Sequence, residues 1–294
     1  MNNVMMPPLR LILNSSCNGQ CSYCHKEGYE GALTMSAEII AETITAAKKL
    51  ALPVISLTGG EPTLRGDLAE IVSQIVDMCP DIKIHLTTNG CCLKNYIGTK
   101  VELIDTLNLS FTSFRSEIAS KYQNVEPTEA LEAFKKIGVK NKNLNVVVGK
   151  DNFMEIDKIV EYCLNEGVSL DLMFALDATQ DAIIHKCVFN VLNRYDVPFI
   201  QLKATPTLAY NINNQTRIRI KHPALNRWIS RNICRECQYQ HTCFERVCAV
   251  RVYPDGVITP CLNKNIYSSQ TTLLARIEDI YSAISEEIYD LLLK

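Results

Sequence analysis

The sequence predicts an α/β fold built on a parallel sheet and arranged as in a barrel. Three observations predict it. Six short apolar runs alternate with amphipathic stretches between residues 9 and 195. Such alternation makes βα units, whose crossovers are right-handed. The residues of unusual chemistry fall in the loops that follow these runs, "NSSCNGQCSYC", "TGGEP", "TTNG" and "SFTS". That is where barrels of βα units build their sites. Finally, 294 residues exceed the ~150 typical of one domain and suit one barrel-like domain with an extension.

The elements follow in order. "LRLILN" reads as a short buried strand. Ser36 can cap a helix running to about Leu50, with Ile39, Ile40, Ile44 and Ala47 at helical spacing. "VISL" is a strand, "LAEIVSQIVDMC" a helix, "IKIHLT" a strand closed by the turn "TNG", and "TLNLSF" a strand. "TEALEAFKKI" is a helix with Gly138 as its stop signal. "LNVVVG" and "SLDLMFA" are strands flanking the helix "MEIDKIVEYCLNEG", and "DAIIHKCVFNVLNRY" is helical. Beyond residue 195 the pattern changes. "FIQLKATPTLAYNI" and "TRIRIK" read as hairpin-forming strands, and an amphipathic helix covers about Leu274 to Leu293. No low-complexity linker separates the parts, so the C-terminal part is expected to pack on the barrel. The division expected is 1–200 for the barrel core and 201–294 for the extension.

Composition narrows the function. The chain is 47% hydrophobic and 21% charged, with a net charge of −2. No basic surface points to nucleic acid or an anionic membrane. No apolar run approaches the ~18 residues of a membrane span. The start "MNNVMMPPLR" has no secretion-signal core, so a cytoplasmic location is expected.

Thirteen cysteines in a reducing compartment argue against a disulfide scaffold. Cys17, Cys21 and Cys24 form C-x3-C-x2-C, and Cys234, Cys237, Cys243, Cys248 and Cys261 form a second cluster. Close cytosolic spacing points to metal ligands or catalytic groups. Three thiolates do not close a tetrahedral zinc site, which takes four ligands. They can hold a [4Fe–4S] cluster with one iron open, while His25 would complete a Cys3His zinc site. Cys91 and Cys92 follow "TTNG" closely enough to face the site, or serve as small packing residues. Arg217, Arg219 and Lys221 alternate on one strand face, where they meet either solvent or an anionic substrate.

C-x3-C-x2-C with Tyr23 before the last cysteine resembles the radical S-adenosylmethionine (SAM) superfamily. "TGGEPTLR", "TTNG", "NLSFTS" and "LNVVVGKDNFMEI", in that order, resemble the branch around GTP 3′,8-cyclase. The resemblance covers about residues 9–175 and 234–262. It implies a partial (β/α)6 TIM-like barrel with a C-terminal auxiliary iron–sulfur extension. It implies that Cys17, Cys21 and Cys24 bind a [4Fe–4S] cluster whose fourth iron is chelated by SAM. Reductive cleavage would then give a 5′-deoxyadenosyl radical that takes a hydrogen atom from a substrate. Gly59, Gly60, Glu61 and Pro62 would form the turn against the SAM amino group, and Thr88 and Ser110 are similar to polar SAM-facing positions. Thr88 also reads as a turn residue, and Tyr23 lies either against adenine or in loop packing.

Cys234, Cys237, Cys243 and Cys261 look like the ligands of a SPASM- or twitch-type auxiliary cluster, with Cys248 a fifth candidate; four cysteines also suit zinc. The partners implied are a reductant such as flavodoxin or ferredoxin and a small-molecule substrate, with a modified peptide as the alternative. The cysteine loop begins by residue 17, with no leader-binding domain ahead of it, which favours the small molecule. A non-catalytic metal or electron-transfer protein is the second alternative, but it has no need of a GGEP loop over an open cluster. GTP itself is not the expected substrate: where that branch carries cations, the resemblance places Ser56, Asn143 and Ala249 in this chain, and only Arg251 remains.

Overall fold

The computed structural model describes residues 6–24, 32–175, 178, 181–201, 207–221, 230–234, 237, 247–261 and 272–292. Strands β1 (Leu9–Ile12), β2 (Val54–Thr58), β3 (Lys83–Thr88), β4 (Thr106–Ser110), β5 (Asn141–Val148) and β6 (Ser169–Phe174) run parallel, each beside the next. Helices α1 (Ala37–Lys49), α2 (Leu68–Met78), α4 (Pro127–Lys136) and α5 (Ile156–Glu166) make the crossovers, with the short α3 (Ser116–Tyr122) ahead of α4. α6 (Ala182–Asn193) follows β6. The alternation read from the sequence is therefore the alternation observed.

Later strands extend the sheet at both edges. β9 (Arg217–Lys221) pairs parallel with β6 and antiparallel with β8 (Thr207–Asn211), which carries β7 (Phe199–Gln201). At the other edge β10 (Val250–Val252) pairs parallel with β1 and antiparallel with β11 (Ile258–Thr259). Among the described residues the order is β11-β10-β1-β2-β3-β4-β5-β6-β9-β8-β7, eleven strands in an open sheet. α7 (Arg231–Cys234) and α8 (Leu273–Leu292) complete the described helices.

The first six strands form the parallel α/β core of a partial barrel, which is not closed among the described residues because the strand order ends at β11 and β7 and does not return on itself.

Side chains on the two faces differ. Leu9, Leu11, Ile55, Leu57, Leu86, Leu107, Leu109, Leu144, Leu170 and Ile218 are fully buried under the helices. The intervening positions, Arg10, Ser56, His85, Asn108, Asn143, Asn145, Asp171 and Arg219, form the other, concave face.

Local signals explain the helix ends. Ser36 caps α1 through its side chain, which accepts from the Ile39 N–H at 3.3 Å. Gly167 ends α5 at φ 63°, where a side chain would be strained. Gly138 plays a different part from the predicted stop. α4 ends at Ile137 in an extended conformation, and Gly138 is held by Glu102, which accepts its N–H at 2.9 Å. A Cβ at Gly138 would lie 2.8 Å from Glu102 Oε2. The final helix matches its predicted place and is tied to the start of β1. Tyr281 donates to Pro7 O at 2.9 Å, and Glu278 pairs with Lys49 of α1 at 2.6 Å.

Candidate functional site

At the C-terminal rim of the strands the cysteine loop, the GGEP turn and the TTNG turn are joined by hydrogen bonds. The Gly60 N–H donates to Asn14 O at 2.7 Å, and the Glu61 N–H to Ser16 O at 2.8 Å. Asn14 Nδ2 donates to Glu61 O at 3.0 Å. This contact explains the two glycines. A Cβ at Gly59 would lie 2.8 Å from Asn14 O, and one at Gly60 would lie 2.7 Å from Ser15 O. Neither glycine has positive φ, so space rather than conformation requires them.

Glu61 is fully buried and acts as the knot. Its Oε1 accepts from Thr63 N at 2.9 Å, Thr63 Oγ1 at 2.6 Å and Thr88 Oγ1 at 2.5 Å; its Oε2 accepts from Asn89 N at 2.7 Å. Burial pushes its carboxyl above the usual range, and these donors pull it back toward the carboxylate. Thr88 also accepts from the Gly90 N–H at 2.9 Å, so it turns the chain and fixes Glu61 together. Pro62 begins the single 3-10 turn after Glu61. Asn89 Nδ2 reaches Asn18 Oδ1 at 2.8 Å and closes the ring back to the cysteine loop.

Cys17 and Cys24 are exposed and Cys21 is half-buried, and none of the three is in a disulfide. The loop is pinned to residues 122–124. Gln20 N–H donates to Tyr122 O at 2.7 Å, Asn18 Nδ2 to Gln123 O at 2.9 Å, and the Cys21 thiol to Tyr122 O at 3.2 Å. Burial raises Cys21 to about 11 and raises Cys17, where the Gly19 N–H pulls the other way. Cys24 acts electrostatically on both, and Cys17 acts on Cys21. Among the described residues no three His, Cys, Asp or Glu side chains are gathered as a metal ion would hold them.

The donor set still fits an iron–sulfur cluster. No disulfide ties up the three sulfurs, Cys17 Sγ already accepts the Gly19 N–H at 3.3 Å as a thiolate does, and Tyr122 O keeps the Gln20 N–H when Cys21 gives up its proton. Tyr23 stacks on Tyr122 with centroids 5.4 Å apart, and its hydroxyl meets Thr112 Oγ1 at 2.9 Å.

Beside the loop lies a cavity of about 410 Å³, lined among others by Tyr23, Thr112, Val147, Gly149, Asn152 and Ala175. These residues come from the cysteine loop and from the ends of β4, β5 and β6. Tyr23 thus packs against Tyr122 and faces the cavity as well. Ser110 ends β4 half-buried, its carbonyl accepting from Gln123 Nε2 at 2.8 Å. Cys91 sits 3.8 Å from Thr63 Oγ1 and 3.7 Å from Cys92, with burial first and Glu61 second raising its pKa to about 12.

In the second cluster Cys234 and Cys261 are buried, Cys237 is half-buried and Cys248 is exposed, none of them in a disulfide. Cys237 N–H donates to Cys234 O at 3.1 Å. Cys248 Sγ accepts from Arg251 at 3.7 Å. Cys243 lies outside the described residues, as does His25. The basic strand face reads differently in the fold. Arg219 is forked onto Asp171 and Arg217 donates to Asn211 Oδ1 at 2.8 Å.

Residues 11–163, just over half the chain, match the family model described as "Radical SAM superfamily". The chain belongs to the radical SAM superfamily. It is an enzyme of that family, whose members use SAM and a [4Fe–4S] cluster. A "Probable GTP 3′,8-cyclase" of Saccharolobus solfataricus is 34% identical over 168 residues, covering 55% of this chain and 54% of the relative. One of Sulfolobus acidocaldarius is 32% identical over 167 residues, covering 54% and 53%. The chain thus spans about half the length of the curated relatives it matches.

Among solved structures, Streptococcus suis SuiB bound to precursor peptide SuiA superposes with a TM-score of 0.65 at 16% identity, covering 96% of this chain and 68% of SuiB. The protein anSMEcpe, bound to AdoMet and a peptide, gives 0.59 at 18% identity, covering 94% and 82%. At such identities the likeness is one of fold. No helix among the described residues is long and apolar enough to cross a membrane.

Proposed function

We propose that this radical SAM enzyme cleaves SAM reductively at a [4Fe–4S] cluster held by Cys17, Cys21 and Cys24, and that it acts on a small-molecule substrate in a biosynthetic pathway. The observation that carries the reading is the junction of the three-cysteine loop, which borders the cavity through Tyr23, with the turn held by buried Glu61. When bound, the cluster and SAM supply a 5′-deoxyadenosyl radical able to take a hydrogen atom from substrate; the protein positions and shields it.

Glu61 holds the turn through Thr63, Thr88 and Asn89. Gly59 and Gly60 let the turn lie on Asn14–Ser16 and present backbone to the SAM amino group. Tyr23, Val147, Gly149 and Ala175 line a space of a size fit for the nucleoside, and Ser110 ends β4 two residues before Thr112 of the same lining. Cys234, Cys237, Cys243 and Cys261 are proposed to hold an auxiliary iron–sulfur cluster, probed by the iron content of the reconstituted protein. The core is read as 1–200 and the auxiliary part as 201–294. A flavodoxin or ferredoxin would supply the electron in the cytoplasm.

The test is anaerobic reconstitution followed by SAM and dithionite, with 5′-deoxyadenosine measured by mass spectrometry. Changing Cys17, Cys21 and Cys24 together to Ala should abolish the product and leave the protein folded. Retained cleavage in that variant overturns the assignment.

A further inference from the structure

The concave face of the sheet carries a cluster of carboxamides below the cavity. Val147 lines the cavity, and Asn145 and Asn143 precede it by two and four residues on the same face of β5. At ~3.3 Å per residue they lie roughly 7 and 13 Å beneath it.

Asn143 is 3% exposed. Its Nδ2 donates to Asn145 Oδ1 at 2.6 Å, Asp171 Oδ2 at 3.1 Å and Asn108 Oδ1 at 3.2 Å. A carboxylate only accepts, so Asp171 fixes which end of the amide is nitrogen. The Asn143 Oδ1 is then an acceptor, buried and without a partner. A buried acceptor left unmade is costly, and such a group calls for an explanation.

The charges nearby cancel. Arg219 forks onto both oxygens of Asp171. Lys221 stands two residues further along β9 and is itself engaged. Burial, with Arg219 adding to it, holds His85 below its usual pKa, so it is neutral near pH 7. An anion entering the cluster would meet the carboxylate of Asp171 and the bare Oδ1 of Asn143. A cation would meet the guanidinium of Arg219. The group that fits is neutral and both donates and accepts.

We propose that Asn108, Asn143 and Asn145, braced by the Asp171–Arg219 pair, form a substrate subsite for an uncharged carboxamide. Its N–H meets Asn143 Oδ1 and its carbonyl meets the Asn145 amide. This rests on the proposed reading of the chain as a radical SAM enzyme that acts on a small-molecule substrate. The amide belongs either to a small molecule or to a peptide bond; the chemistry recognised is the same.

Saturation-transfer NMR on the reconstituted holoenzyme tests it. The probes are N-acetylglycinamide, a blocked tripeptide amide, acetate and methyl phosphate. Transfer to either amide, and much less to acetate and methyl phosphate, is the expected result. Transfer only to the tripeptide assigns a peptide source, and transfer to both assigns the isolated amide as sufficient. Asn143→Leu should weaken amide binding roughly tenfold, as the loss of one well-made hydrogen bond does. Asp171→Asn releases Arg219 and should make acetate a ligand, a gain that a misfolded variant cannot show. No transfer to either amide, or transfer to acetate or methyl phosphate equal to that of the amides, overturns the subsite. Formation of 5′-deoxyadenosine by the same preparation is scored separately. Amide binding without it overturns the proposed SAM cleavage alone, and cleavage without amide binding overturns the subsite alone.

Discussion

Replacing Gly60 by Ala separates two reasons for a glycine at this turn. If the glycine serves only the approach of a ligand, the apoprotein is indifferent to a methyl group. The structure gives a different expectation. The new Cβ lies 2.7 Å from Ser15 O and 2.6 Å from the Ser16 carbonyl carbon, both backbone atoms that cannot rotate aside. The strands must part, and the bonds Gly60 N–H to Asn14 O at 2.7 Å and Glu61 N–H to Ser16 O at 2.8 Å must lengthen. Losing each costs about 1 kcal/mol. Overpacking adds ~1–3 kcal/mol. The sum is about 3–5 kcal/mol, and at ~2–4 °C per kcal/mol for a large domain the melting midpoint falls by about 10 °C. The assay is thermal unfolding of metal-free protein followed by circular dichroism, with limited proteolysis at residues 17–24 as a local readout. An apoprotein variant that melts with the parent, and fails only in binding SAM, refutes the packing argument.

Glu61→Gln should destabilise by ~2–3 kcal/mol, because an amide must set an N–H against the Asn89 N–H in a buried site; equal urea midpoints would count against it. Gly167→Ala forces a side chain to φ 63° and should cost about 1 kcal/mol, read from the same urea curves. Reconstituted protein should carry about eight irons per chain in two [4Fe–4S] clusters, with the Cys17/Cys21/Cys24→Ala variant keeping about half; zinc without iron in that variant would make the C-terminal site structural. Incubation with GTP, SAM and reductant should give no cyclised 8-substituted product, since Ser56 and Asn143 on the concave face carry no charge for a triphosphate. Product at a catalytic rate refutes that.

The regular part of the fold was legible because its signals are local. Ser36 and the Ile40–Ile44 spacing announce α1, and each apolar run became a strand. β5 starts at Asn141, before the apolar run "LNVVV", because its alternating asparagines face the concave side. The period of two was readable in "NKNLNVVV" as in "RIRIK", and only the second drew attention. α3 has seven residues and too little apolar period to be seen. β10 has three residues and finds its partner, β1, from the far end of the sequence.

The cysteines and GGEP were legible as motifs. Asn14 and Asn89 bind the loops together, and although both stand in quoted stretches, the first of the cysteine loop and the third of TTNG, nothing in their spacing announces those bonds. The cavity wall is not legible as a set, because Thr112, Val147 and Ala175 meet only through the sheet. Arg219 forks onto Asp171 across 48 positions of sequence, a pairing that the alternation in "RIRIK" does not announce.

The pairing of β10 with β1 and of β9 with β6 has a consequence for anyone who would trim this protein. A shortened chain stopped at residue 200 would bare the outer margins of β1 and β6 together, removing a hydrogen-bonded neighbour from each. Both strands are rich in leucine, and unpaired parallel margins of that kind recruit other chains. Such a fragment should aggregate rather than behave as a minimal catalyst. For this chain, the last third of the polypeptide seals the first two thirds.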